Sequence, residues 1–183
     1  AKEYGLVVTE EWDERYDLKK ATRAAVEYLK ASYSRFGDWA LTCAAYNCGE
    51  AGVKKQMANQ ECKDYWSLNI NSETSRYVYR ILAYKILMEN PQQYGFYVRL
   101  RDCHQPLQYE TITIDSTITN MQAFAKKLNC PYKYFKTLNP QLRAHKLTNP
   151  NKKKYTFKII TKENLSYSNA LEQNNLTDNT DYL

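Results

Sequence analysis

Apolar residues recur along the first ninety positions with the spacing of helices. Leu18, Ala21, Ala25, Leu29, Tyr33 and Phe36 fall three or four apart, which gives a helix over residues 17–37 one apolar face. Asp17 stands where an N-cap carboxylate would accept the first free N–H groups, and Gly37 where a helix turns left-handed to end. Asp38 caps a second predicted helix over residues 39–47, carrying Leu41, Ala44 and Ala45 and ended by Gly49. A short helix over 51–57 follows. A polar stretch over 59–71 leads to a long helix with Ser72 as its predicted cap and Glu73 near the positive end of its dipole. Tyr77, Val78, Ile81, Leu82, Ile86 and Leu87 form its broad apolar face, and Asn90-Pro91 stops it.

The pattern changes after Phe96. YETITI over 109–114 alternates and is rich in β-formers, so it predicts a strand. Met121, Phe124, Ala125 and Leu128 mark a short helix. Pro131 opens a second, with Tyr132, Phe135 and Leu138 turned inward. Asn139-Pro140 is a turn, and YTFKII over 155–160 is a second strand. Residues 1–98 therefore read as a mainly α domain and 99–162 as a small α+β module of order βααβ. Asn, Ser, Thr and Asp dominate 163–183, with too few apolar residues for a core, so that stretch reads as a flexible or surface-draped tail.

Composition narrows the function classes. The chain has 183 residues, 43% hydrophobic and 25% charged, with a net charge of +6. No apolar run approaches the roughly 20 residues that cross a bilayer, and AKEYGLVVTE lacks the pattern of an export signal. Lys152, Lys153 and Lys154 are the only tight basic cluster. Without zinc-finger spacing, an RNA-binding aromatic signature or a basic heptad helix, nucleic acid is not the expected partner. Cys43, Cys48, Cys62, Cys103 and Cys130 form no C-x-x-C pair, and His104 and His145 read as surface residues, so neither a metal nor a cofactor is expected. An odd cysteine count leaves at least one thiol unpaired in a monomer, the expected state. A Cys103–Cys130 bridge would close the loop across the first strand, but the sequence does not show that their Cα atoms approach within about 7 Å. Seventeen tyrosines suit stacking on sugar rings or bases as well as core filling.

Specific residues go further. Gly37-Asp38-Trp39-Ala40-Leu41 followed by Ala44-Ala45-Tyr46-Asn47-Cys48-Gly49 resembles the A-Y-N-x-G signature of lytic transglycosylases with a goose-lysozyme-like fold. Glu73-Thr74-Ser75-Arg76-Tyr77-Val78 is similar to that family's E-T-x-x-Y-V motif. Ala1-Lys2-Glu3-Tyr4-Gly5-Leu6 matches the end of its T-A-x-x-Y-G-L segment, and Asp13-Glu14-Arg15 through Tyr28-Leu29 its D-E-R…A-A-x-Y-L helix. The four matches cover about the first hundred residues in order. The second module resembles LysM in order and length, with Leu138-Asn139-Pro140 matching its L-N-P. Its G-D-T-L-like turn reads Asp115-Ser116-Thr117-Ile118 here, and its Gly-rich turn reads Asn149-Pro150-Asn151-Lys152. Glu50, Cys48 and Tyr79 depart from the residues usual in the family.

The resemblance implies the C-terminal part of a lysozyme-like helical domain followed by a degenerate LysM-like module, acting on peptidoglycan glycan strands in the periplasm or cell envelope. It implies one glutamic acid that serves as both general acid and general base, on an E-S helix expected upstream of Ala1. No glutamate of this chain fits that pattern, so residues 1–183 alone are expected to be inactive and membrane association would come through a preceding segment. By the same resemblance Tyr77 supports the acid, while Asn47, Tyr46 and Glu73 line the substrate side. The non-enzymatic alternative is a peptidoglycan-binding or scaffold protein derived from the family.

Overall fold

The computed structural model describes residues 1–99, 103 and 107–160, so His104 and the stretch 163–183 lie outside the described residues. The fold is mainly helical with one two-stranded sheet. Backbone contacts divide it into two units: residues 23–97, and residues 1–22 together with the described residues from Val98 to Ile160.

Helix α1 (Leu18–Phe36) starts in one unit and ends in the other. Asp17 accepts from the Lys20 N–H at 3.1 Å, and Gly37 ends the helix at φ 66°. Helix α2 (Trp39–Cys48) is capped by Asp38, whose carboxylate accepts from Leu41 N–H at 2.7 Å. Gly49, at φ 87° and ψ 142°, separates it from α3 (Glu50–Asn59), which is longer than the sequence predicts at both ends. Helix α4 (Ser72–Glu89) takes Asn71 rather than Ser72 as its cap. The Asn71 carboxamide reaches Thr74 N–H at 2.9 Å, so Ser72 becomes the first helical residue. The core of this unit is Leu41, Ala44, Ala45, Val53, Tyr65, Leu68 and Val78. Two alanines on α2 let the backbones of its neighbours come close. Two inward-facing expectations fail: Leu18 is 80% exposed, and of the apolar face expected on α4 only Val78 is buried while Ile81, Leu82 and Ile86 are exposed.

In the other unit β1 (Glu110–Ile114) pairs antiparallel with β2 (Tyr155–Ile159), Ile112 opposite Phe157. Between them lie α5 (Met121–Lys127), capped by Asn120, and α6 (Tyr132–Leu138). Pro131 sits at the cap position of α6, at φ −59°, one residue before the place predicted for it. Met121, Ala125, Phe135, Leu142, Leu147, Phe157 and Ile160 fill the core. Two buried asparagines hold the loops. Asn139 donates to the Phe135 and Lys158 carbonyls at 2.8 and 2.7 Å and accepts from Lys158 N–H at 2.9 Å. Asn149 donates to the Asp115 and Lys153 carbonyls at 2.8 and 2.7 Å.

The segment before α1 completes this core. Trp12 is 2% exposed, edge-on to Tyr155 and Phe157 with centroids at 4.9 and 5.3 Å. Main-chain bonds fasten its flanks to the α6–β2 loop: Asp13 N–H to the Gln141 carbonyl at 2.7 Å and Arg143 N–H to the Glu11 carbonyl at 2.9 Å. The Glu11 carboxylate accepts from the Thr148 N–H and hydroxyl. All five cysteines are free thiols, with Cys130 buried.

Candidate functional site at the junction of two helices

The C-terminal turn of α2 and the first turns of α4 bring the two strongest motifs together. Thr74, fully buried, donates its hydroxyl to Asn47 Oδ1 at 2.8 Å. The same hydroxyl lies 3.1 Å from Asn71 Oδ1. That bond orients the exposed Asn47 carboxamide and leaves its Nδ2 with no partner among the described residues. Tyr65, from the loop before α4, donates its hydroxyl to the Ser75 carbonyl at 2.7 Å and so pins the first turn of α4 from below. Sequence reasoning singled out Asn47 but missed Thr74, Asn71 and Tyr65 as its supports. The E-T motif contained Thr74, yet nothing in a linear pattern says where its hydroxyl goes.

Tyr77 is half-buried one turn further along α4, with Tyr46 and Cys43 as neighbours. Burial pushes its hydroxyl above the usual tyrosine range, and those two neighbours add to the effect, so it stays a neutral donor. Tyr46 is exposed and meets Tyr28 edge-on at 5.5 Å. Burial also raises the Cys43 thiol, which keeps it protonated and a poor nucleophile.

Glu73 stands apart. It is exposed and makes an ion pair with Arg80 at 2.8 Å, with no bond to Asn47 among the described contacts. Glu50 is drawn below the usual carboxylate range chiefly by its hydrogen bonds from Arg35. A proton donor to a glycosidic oxygen needs the opposite, a raised pKa. The junction therefore offers amide and phenol groups that can orient an acetamido sugar, flanked by rings that can stack on it. Among the described residues no helix is long and apolar enough to cross a membrane.

Residues 1–69 match the model of the transglycosylase SLT domain, and residues 110–163 that of the soluble lytic transglycosylase C-terminal LysM-like domain. Both of its modules thus resemble parts of the lytic transglycosylases. It is similar to membrane-bound lytic murein transglycosylase D of Escherichia coli strain K12, 31% identical over 151 residues. The same identity holds for that protein of E. coli O6:H1 strain CFT073. The match covers 80% of this chain and 33% of each relative, so the chain spans about a third of their length. The SLT match ends at residue 69, before the E-T motif; α4 falls within the 151-residue match to the E. coli relatives, and the Asn47–Thr74 bond joins it to α2.

Proposed function

We propose that these 183 residues serve in a peptidoglycan lytic transglycosylase, cleaving the β-1,4 bond between N-acetylmuramic acid and N-acetylglucosamine without water. The observation that supports this reading is the Thr74–Asn47 hydrogen bond, which joins the A-Y-N and E-T motifs into one surface beside Tyr46 and Tyr77. In the proposed reaction a glutamic acid protonates the glycosidic oxygen and the C–O bond at muramic C1 breaks. The C6 hydroxyl closes on C1, giving the 1,6-anhydro sugar, and its proton returns to the carboxylate. Asn47 would hold an acetamido group and Tyr77 would donate toward the acid or the reacting sugar. Peptidoglycan lies outside the cytoplasmic membrane, so the envelope is the proposed location.

The acid is proposed to lie in residues preceding this sequence. Two features support that: Glu50 is held ionised by Arg35, and Glu73 is spent on Arg80. The same features favour, as a second reading, a non-catalytic peptidoglycan binder. Mass spectrometry of digested sacculi separates the two. Residues 1–183 alone should release no 1,6-anhydromuropeptides, and any such product above background overturns the placement of the acid. A polypeptide extended upstream through the E-S helix should release them; failure there leaves the binder.

A further inference from the structure

Residues 107–160 carry ten Lys and Arg against two acidic residues, Glu110 and Asp115, a net +8 in a chain whose total is +6. This charge is unevenly engaged. Arg143 lies over the Tyr16 ring at 4.0 Å, Lys146 pairs with Glu11 at 3.7 Å, and Lys158 with Asp17 at 3.8 Å. Residues 1–17, with six acidic and two basic side chains, thus neutralise one part of the module. Lys126, Lys127, Lys133, Lys152 and Lys154 make no ion pair among the described residues.

One of these free cations borders a cleft. Between the 116–120 loop and α5 lies a depression of about 200 Å³, lined by Ser116, Thr119, Phe124 and Lys127 among others. The half-buried Phe124 supplies an apolar wall. The Ser116 and Thr119 hydroxyls and the Lys127 ammonium have no hydrogen-bond partner among the described residues. The turn that carries Lys152 and Lys154 is fastened to the same loop. Asn149 N–H donates to Thr117 Oγ1 at 2.9 Å, and the Asn149 side chain to the Asp115 carbonyl.

We propose that this cleft selects glycans that bear carboxylates, the muramic acid–peptide units of peptidoglycan, over uncharged N-acetylglucosamine oligomers. Free hydroxyls and an aromatic wall suit a pyranose ring. A lysine suits a carboxylate on the peptide stem that such a ring carries and gives an uncharged sugar nothing in return for its desolvation. The surrounding positive field raises the local concentration of anionic ligand and suppresses no neutral one, so the preference falls as salt screens it. The inference rests on the peptidoglycan reading above and adds the charge of the ligand to it.

The test is titration of the whole chain with three probes: a soluble disaccharide-tetrapeptide, the same compound with its carboxyls amidated, and chitotetraose. The carboxylate form should bind about tenfold tighter than either uncharged probe at low ionic strength, a gap that narrows near 0.5 M salt, where the Debye length is about 4 Å. K127Q should weaken the carboxylate form about two- to fivefold and leave chitotetraose unchanged, while K63Q, in the helical unit, alters neither. Chitotetraose binding as tightly as the carboxylate form, or indifference to K127Q, overturns the proposal. So does polyglutamate or an oligonucleotide competing as well as the muropeptide, since that describes a nonspecific polyanion surface. Loss of selective binding with anhydro-sugar release intact in the extended polypeptide sinks this inference alone. Selective binding without any such release sinks only the transglycosylase reading.

Discussion

The Thr74 hydroxyl has one proton and two acceptors within reach, Asn47 Oδ1 and Asn71 Oδ1, so a single side chain both braces a helix cap and aims a surface carboxamide. Thr74→Val keeps the shape and removes the proton. In an active extended enzyme it should lower turnover about as far as Asn47→Ala, while melting temperature falls by the equivalent of about 1 kcal/mol. Tyr77→Phe should cut turnover with the fold intact, because a hydrogen bond to a reacting or charged group is worth roughly 2–4 kcal/mol in the transition state. Steady-state kinetics beside thermal melts check all three, and activity that falls only in proportion to stability would reduce these residues to packing. Asn139 is the opposite case. Its carboxamide is wholly buried and makes three main-chain bonds, so Asn139→Ala should cost about 2–4 kcal/mol and leave the helical unit untouched. Its place in L-N-P marked a turn in the sequence. The bonds to Lys158, nineteen positions on, were invisible there because strand β2 had first to be placed.

At the scale of elements, caps and stops were the most legible signals, since each is local. Asp17, Gly37 and Asp38 all do what short-range chemistry asks of them. The Ser72–Asn71 correction is of the same kind: two adjacent cap formers compete, and the one whose carboxamide can reach Thr74 wins. Asn71→Ala should lower stability by about 1 kcal/mol, read by thermal denaturation. What the pattern did not contain was the stretch before α1, which belongs to no long periodic element. Its carboxylates predict its behaviour. The Thr148 N–H holds Glu11 below the usual range, Arg15 does so for Asp13, and for Glu14 burial pushes upward but Lys20, Val7 N–H and the Trp12 indole outweigh it. Lowered folded values mean that this stabilisation is complete above the ordinary carboxylate range and is lost as pH falls through the depressed values. Below about pH 4 the Trp12 segment should therefore loosen, seen as a red shift of its emission. A segment that stays packed at pH 2 would show that its carboxylates do not hold it.

At the scale of the molecule, the two-part character was plain from the change in periodicity near Phe96, but membership was not. The first 22 residues pack with the module rather than with the helices that follow them. Trp12→Ala should cost about 3–5 kcal/mol in the module. In hydrogen exchange it should strip protection from Tyr155–Ile159 while α2 and α3 keep theirs; equal loss in both places would mean that the units do not unfold separately. The altered loops at 115–118 and 149–152 keep the fold through Asn149 yet replace the turn residues usual in LysM. Uncharged chitin oligomers should accordingly bind only weakly, and saturable NMR shifts at micromolar ligand over residues 116–120 and 149–153 would contradict that.

The same packing of Trp12 sets an order in time. Its ring partners, Tyr155 and Phe157, come almost at the other end of the described chain, so the module's core cannot close until nearly everything between has been synthesised. Contacts this distant in sequence form slowly, because the intervening loop must be ordered first. The helical unit, built from neighbouring segments, can form while Trp12 still waits. Refolding should then show two phases, a fast one in helix content and a slower one in Trp12 fluorescence. Between them the nascent protein exposes an acidic segment tipped with a tryptophan, the interval in which a protease or a chaperone would find it.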